Sequence, residues 1–215
     1  MAVALDLGNY GAISDYSGLV TQAKLWLDRG SELDGLIPSF VALAEGYLNR
    51  TLRTPEMENI AAPTMVDGVF PLPADFLAMR GLTVGGRPLD AVSPALLADT
   101  YGALAGYSRA YAISGRQVRV APYSSDPVSL SYWQRIPALN LNQPNNWLLD
   151  GHSDIYLYGT LLSAETYIDN PDRVAQWRAA FEGAVEQLVE ASNKARWGGP
   201  IVARPGVLRV RGAVT

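Results

Sequence analysis

The stretch from Asn170 to Arg196 reads NPDRVAQWRAAFEGAVEQLVEASNKAR. It opens like a helix. Asn170 offers a side-chain oxygen to free amides, Pro171 suits the first helical position, and Asp172 sets negative charge beside the positive end of the helix dipole. Val174, Trp177, Phe181, Ala184, Leu188 and Ala191 then recur at alternating steps of three and four, which lines them along one stripe. Asp172, Arg173, Gln176, Glu182, Glu186, Glu190 and Asn193 fall on other faces. At 1.5 Å per residue the helix would run about 39 Å, the width of a small domain. The spacing predicts it as the backbone of the fold.

Beyond Trp197 the pattern stops, because Gly198, Gly199 and Pro200 do not continue a helix. Residues 201–215 mix small, apolar and basic side chains with no periodic face long enough to build a core. Lys194, Arg196, Arg204, Arg209 and Arg211 contribute +5 after Glu190 with no acid following, so the preceding residues carry −9 of the overall −4. One polypeptide thus joins an acidic body to a basic arm.

Upstream, Ile155, Tyr158, Leu161, Leu162 and Ile168 predict another long helix from Ser153, meeting Asn170 after a tight turn. Residues 140–150 are rich in Asn and Pro and read as a loop. Near the other end, Leu19, Val20, Ala23, Trp26 and Leu27 fit a short helix from Ser17, and Ile37, Phe40, Val41, Ala44 and Leu48 a second one closed by Pro55. Between these helical ends the period changes. Asp67-Gly68 separates Thr64–Val66 from Val69–Leu72, and Gly85-Gly86 separates Leu82–Val84 from Arg87–Leu89, both two-residue hairpin signals. Ser93-Pro94 opens a short helix, Tyr111–Ile113 and Gln117–Val120 form a third hairpin, and Val128–Gln134 reads as a further strand. The expected fold is α+β: N- and C-terminal helices packed as a bundle, an inserted small antiparallel β module and an extended C-terminal tail. The corresponding boundaries are an N-terminal extension over 1–16, a helical body over 17–56 and 151–197, the module with its short helix over 57–150, and the tail over 198–215.

Composition narrows the chemistry. The 215 residues include no cysteine and one histidine, which excludes disulfide frameworks, zinc fingers, thiol catalysis and multi-histidine metal sites; a hard-cation site of carboxylates stays open. No cofactor is expected. No apolar run approaches a membrane span, and the first Lys or Arg is Lys24, so the basic region of a signal peptide is missing. The acidic body argues against nonspecific duplex binding across a broad basic face. His152 with Asp150 and Asp154 resembles an acid/base site but sits where a helix start needs polar caps. Glu56 and Glu58 read as a solvated turn after Pro55. Tyr107, Arg109 and Tyr111 could stack on bases or sugars, although strand aromatics commonly serve packing.

Three stretches carry a resemblance: Ile37 to Arg50 (IPSFVALAEGYLNR) running to Glu56-Met57-Glu58; Leu72-Pro73-Ala74-Asp75-Phe76-Leu77 with Gly86-Arg87-Pro88-Leu89; and Asn146-Trp147-Leu148-Leu149 followed by Tyr156-Leu157-Tyr158-Gly159. In this order and spacing, over about residues 18–200, the chain resembles the head-to-tail adaptor proteins of tailed bacteriophages. The resemblance implies a non-enzymatic virion protein at the head–tail junction, assembled in the host cytoplasm. Such proteins form a ring, usually of twelve copies, beneath the portal protein. DNA passes through the lumen without sequence-specific binding, tail or nozzle proteins attach below, and no membrane is involved. A C-terminal extension that reaches the portal belongs to this picture, and by position it assigns portal contact to Trp197, Ile201, Val202, Arg204, Val207, Leu208, Arg209, Val210 and Arg211. A carbohydrate-binding or hydrolytic module built on the β insertion, and a tail-terminator ring, are the competing readings.

Overall fold

The computed structural model describes residues 13–102 and 106–197. Helices α1 (Tyr16–Leu27) and α2 (Ile37–Thr51) come first, followed by strands β1 (Glu58–Ala61), β2 (Val69–Pro71), β3 (Phe76–Val84), β4 (Arg87–Pro88) and β5 (Asp90–Ala91). A short helix α3 (Pro94–Leu96) runs into a wider turn over Leu97–Tyr101. Strands β6 (Ala110–Ser114), β7 (Gln117–Ala121) and β8 (Val128–Gln134) follow, then α4 (Trp147–Gly151), α5 (Ser153–Ile168) and α6 (Pro171–Trp197). The architecture is mixed α+β.

The helix expected over 170–196 is present as α6, and its stripe buries Trp177, Phe181 and Leu188, while Ala191 is exposed. It is not the centre. That place belongs to α5, which packs against α1, α2, α4 and α6. The reason is its composition: Ile155, Tyr156, Leu157, Gly159, Thr160, Leu161 and Ala164 are buried on several sides, and a helix apolar around most of its circumference belongs inside. Gly159 permits the closest approach, since a Cβ there would lie 2.9 Å from both the Ala44 Cβ and the Phe181 ring.

The middle of the chain forms two four-stranded sheets, ordered β1-β8-β3-β4 and β2-β7-β6-β5. Phe70, Leu82, Val84, Tyr111, Val118, Val120, Leu130 and Tyr132 make one core of the β region. The strand pairs are antiparallel except β5 with β6, which is parallel. Both two-residue turns carry positive φ at each centre, 50° and 75° at Asp67-Gly68 and 58° and 75° at Gly85-Gly86, as the tight hairpin geometry requires. Of Thr64–Val66 only Val66 is bridged, to Val69. The expected loop over 140–150 holds α4, because the Asn146 side chain accepts from the Leu149 amide at 2.9 Å and caps it.

Candidate assembly surfaces

The last turn of α6 is fastened to the first sheet. Arg196 donates to a Glu58 carboxylate oxygen at 2.6 Å, and its guanidinium lies 5.4 Å from the centre of the Trp133 ring. Arg80 on β3 pairs with the other oxygen of Glu58 and lies 5.2 Å from the same ring. Glu58 is therefore not a solvated turn residue. It opens β1, and its register opposite Trp133 in β8 puts the carboxylate between two guanidiniums. Paired charges and cation–π contact at one half-buried point hold the last turn of α6 against the first sheet. The portal-contact residues Ile201, Val202, Arg204, Val207, Leu208, Arg209, Val210 and Arg211 lie outside the described residues, as does the side chain of Trp197.

Two buried acids brace the helical body. Glu45 lies on the inner face of α2, where its Oε1 accepts from the Leu139 amide at 2.7 Å and from the Tyr156 hydroxyl at 3.3 Å. Asn146 Nδ2 in turn donates to the Tyr156 hydroxyl and to the Pro137 carbonyl, both at 2.7 Å. Asn49 Oδ1 accepts from the Ile136 amide at 2.9 Å, so one face of α2 holds the passage from β8 to α4. Glu165 and Arg173 pair at 2.8 Å across the α5–α6 turn, with the Glu165 side chain wholly buried. Arg173, off the apolar stripe as expected, also donates to the Trp26 carbonyl at 2.9 Å.

Burial pushes the Glu45 carboxyl up, against the lowering pull of its Leu139 and Tyr156 hydrogen bonds. The native state therefore holds this proton more firmly than the unfolded chain, whose carboxyl titrates near about 4.3. Its contribution favours folding most below that value and declines as pH rises through the raised one. Glu45→Gln removes the titration, so the stability of the variant relative to the parent should increase between pH 4 and 7.5 in urea titrations. Parallel profiles would show that Glu45 is not the titrating group. Glu45→Leu leaves the Leu139 amide unpaired and should cost about 1–3 kcal/mol.

The other candidate chemistries disperse. The His152 amide donates to the Leu148 carbonyl at 2.8 Å where α4 passes into α5, while Asp150 and Asp154 are exposed. Among the described residues no group of three or more acids or histidines is placed to hold a metal ion, and no helix is long and apolar enough to cross a membrane. Tyr111 is buried in the β core. Tyr107 is 48% exposed, with the Arg87 guanidinium 4.5 Å and the Arg109 guanidinium 4.8 Å from its ring centre. Arg87 had no part in the sequence expectation for Tyr107 and Arg109. Only the parallel pairing of β5 with β6, which sets Asp90 opposite Ala110, brings the two segments together.

No curated protein matches this chain. The family described as SU10 adaptor protein matches residues 14–204, a span that takes in the helical elements, both sheets and the first residues of the tail. With nearly its whole length matched, the chain belongs to the SU10 adaptor protein family, a family of phage head-to-tail adaptors.

Proposed function

We propose that the protein is a ring-forming structural adaptor that docks on the portal protein, continues the DNA channel and presents its far face to tail or nozzle proteins. Residues 17–56 and 151–197 form the body that repeats around the axis, 57–150 the inserted module, and 198–215 the arm that fastens each copy to the portal. Twelve copies are the expected number. The protein acts at the head–tail junction of the virion after assembly in the host cytoplasm, without catalysis. A predominantly acidic body suits a conduit, since like charge keeps duplex DNA from adhering to the wall.

The observation that carries this reading is the anchoring of α6 by Arg196 to Glu58 and Trp133. A rigid point of departure one residue before the end of α6 lets an arm of 18 residues, able to extend about 60 Å at 3.3 Å per residue, leave its own subunit. Val207, Leu208 and Val210 alternating with Arg209 and Arg211 suit addition to a partner's strand, with arginines meeting its carboxylates. Removing 198–215 is expected to leave the fold intact and abolish docking, measured as the mass of the protein with and without purified portal. Unimpaired docking of the truncated chain would overturn the arm, and a soluble monomer that binds glycans would overturn the adaptor reading.

A further inference from the structure

Arg87 and Arg109 lie within 4.8 Å of the centre of the Tyr107 ring, yet neither makes an ion pair with a carboxylate among the described residues. Gathering two cations on one ring without a counter-charge is electrostatically unfavourable, and an incoming anion would relieve it. Backbone bonding holds the site: the Arg109 amide donates to the Ala121 carbonyl at 3.2 Å, the Arg109 carbonyl accepts from Asp90 at 3.0 Å, and Arg87 is in register with Val84 in the β3–β4 hairpin. A guanidinium stacked on an aromatic keeps its N–H edge for a planar, two-oxygen acceptor. Arg and Tyr are also the residue types that concentrate energy at protein interfaces.

We propose that the Arg87–Tyr107–Arg109 cluster docks the outward Glu182–Glu186 stripe of α6 in the neighbouring copy; the inference rests on the ring reading. On α6, Glu190 is paired with Lys194 at 3.6 Å, whereas Glu182 and Glu186 are exposed and form no ion pair among the described residues. They are one turn apart, so their carboxylates share a face. The two patches occupy different flanks. Arg87 is on β4, the edge of the first sheet opposite β1, while Arg196 ties α6 to Glu58 of β1. A ring requires a heterologous contact between two unlike faces of the same subunit, and this pair supplies unlike faces of opposite charge. Nucleic acid fits less well. The six arginines of residues 57–139 are matched by six acids, and two cations neutralise too few phosphates for useful duplex affinity.

The test uses the full chain with portal and reads ring formation by electron microscopy and mass. Wild-type rings are the prerequisite; if none form, the ring reading itself falls before any variant is compared. Arg87→Glu with Arg109→Glu gives a subunit with two acidic flanks, and Glu182→Arg with Glu186→Arg gives one with two basic flanks. Each alone should lose assembly by at least about tenfold, because like charges then meet at every contact. Mixed in equal amounts they should assemble again, since alternating copies place opposite charges at every contact. Circular dichroism establishes that both fold, and a milder pair, Arg87→Gln with Arg109→Gln, should show a smaller loss. Rings from either reversed variant alone, or no rings from the mixture, overturn the proposal. A wild-type gel shift of duplex DNA that the arginine reversal abolishes while rings persist would assign the cluster to phosphate instead.

Discussion

Phe181→Ala is expected to destabilise the protein by about 3–5 kcal/mol, at the upper end for a core truncation. The ring is buried in the seam where α2, α5 and α6 meet and packs on Tyr47 with centroids 5.2 Å apart. Its position depends on Gly159, whose missing Cβ would stand 2.9 Å from the ring and from the Ala44 Cβ. Because α5 already meets α2 at that point, the walls have little room to collapse into the space the ring leaves, and a residual cavity makes a truncation costly. Gly159→Ala alone inserts a methyl where two neighbours already touch, and overpacking of this kind costs about 1–3 kcal/mol. In the double variant the methyl enters the space vacated by the ring. The pair should therefore be non-additive by at least about 0.5 kcal/mol, recovering stability relative to the sum of the single changes, as read from urea unfolding midpoints. Strict additivity would mean that the ring and the glycine are not in contact.

The sequence carried different parts of this structure with different clarity. The stripe through Trp177, Phe181 and Leu188 was legible because one face of α6 is apolar and the rest polar. Asp67-Gly68 and Gly85-Gly86 were legible because few residues tolerate two successive positive φ values, and β8 because Val128, Leu130 and Tyr132 alternate inward. What failed has equally local causes. Strand β1 has four residues, none buried and without in-out alternation, so Glu58 looked solvated until the register with β8 placed it beside Trp133 and two arginines. The central role of α5 was hidden because a helix apolar on most sides has no face to read. Glu45 and Glu165 had one usable signal, an acid embedded among apolar positions of a helix, as in Ala44-Glu45 and Ala164-Glu165. The pairing of Arg87 with Tyr107 had none, since pattern along the chain does not reveal a parallel crossover.

Arg173→Met is the second change expected to act strongly, lowering stability at pH 7 by about 3–5 kcal/mol, as breaking a buried ion pair does. Methionine keeps much of the aliphatic stem, so the loss isolates the guanidinium. That group lies 2.8 Å from a Glu165 oxygen and donates to the Trp26 carbonyl at 2.9 Å, linking α5, α6 and α1 beside the Trp26–Trp177 ring pair. Among the described residues the Glu165 carboxylate has no hydrogen-bond partner, so without Arg173 a fully buried charge is left uncompensated. Glu165→Leu with Arg173→Met removes both charges and should regain most of the loss, since apolar replacements of a buried pair are often neutral or better. A double variant as unstable as Arg173→Met alone would place the effect in the lost Trp26 contact rather than in a stranded Glu165 charge.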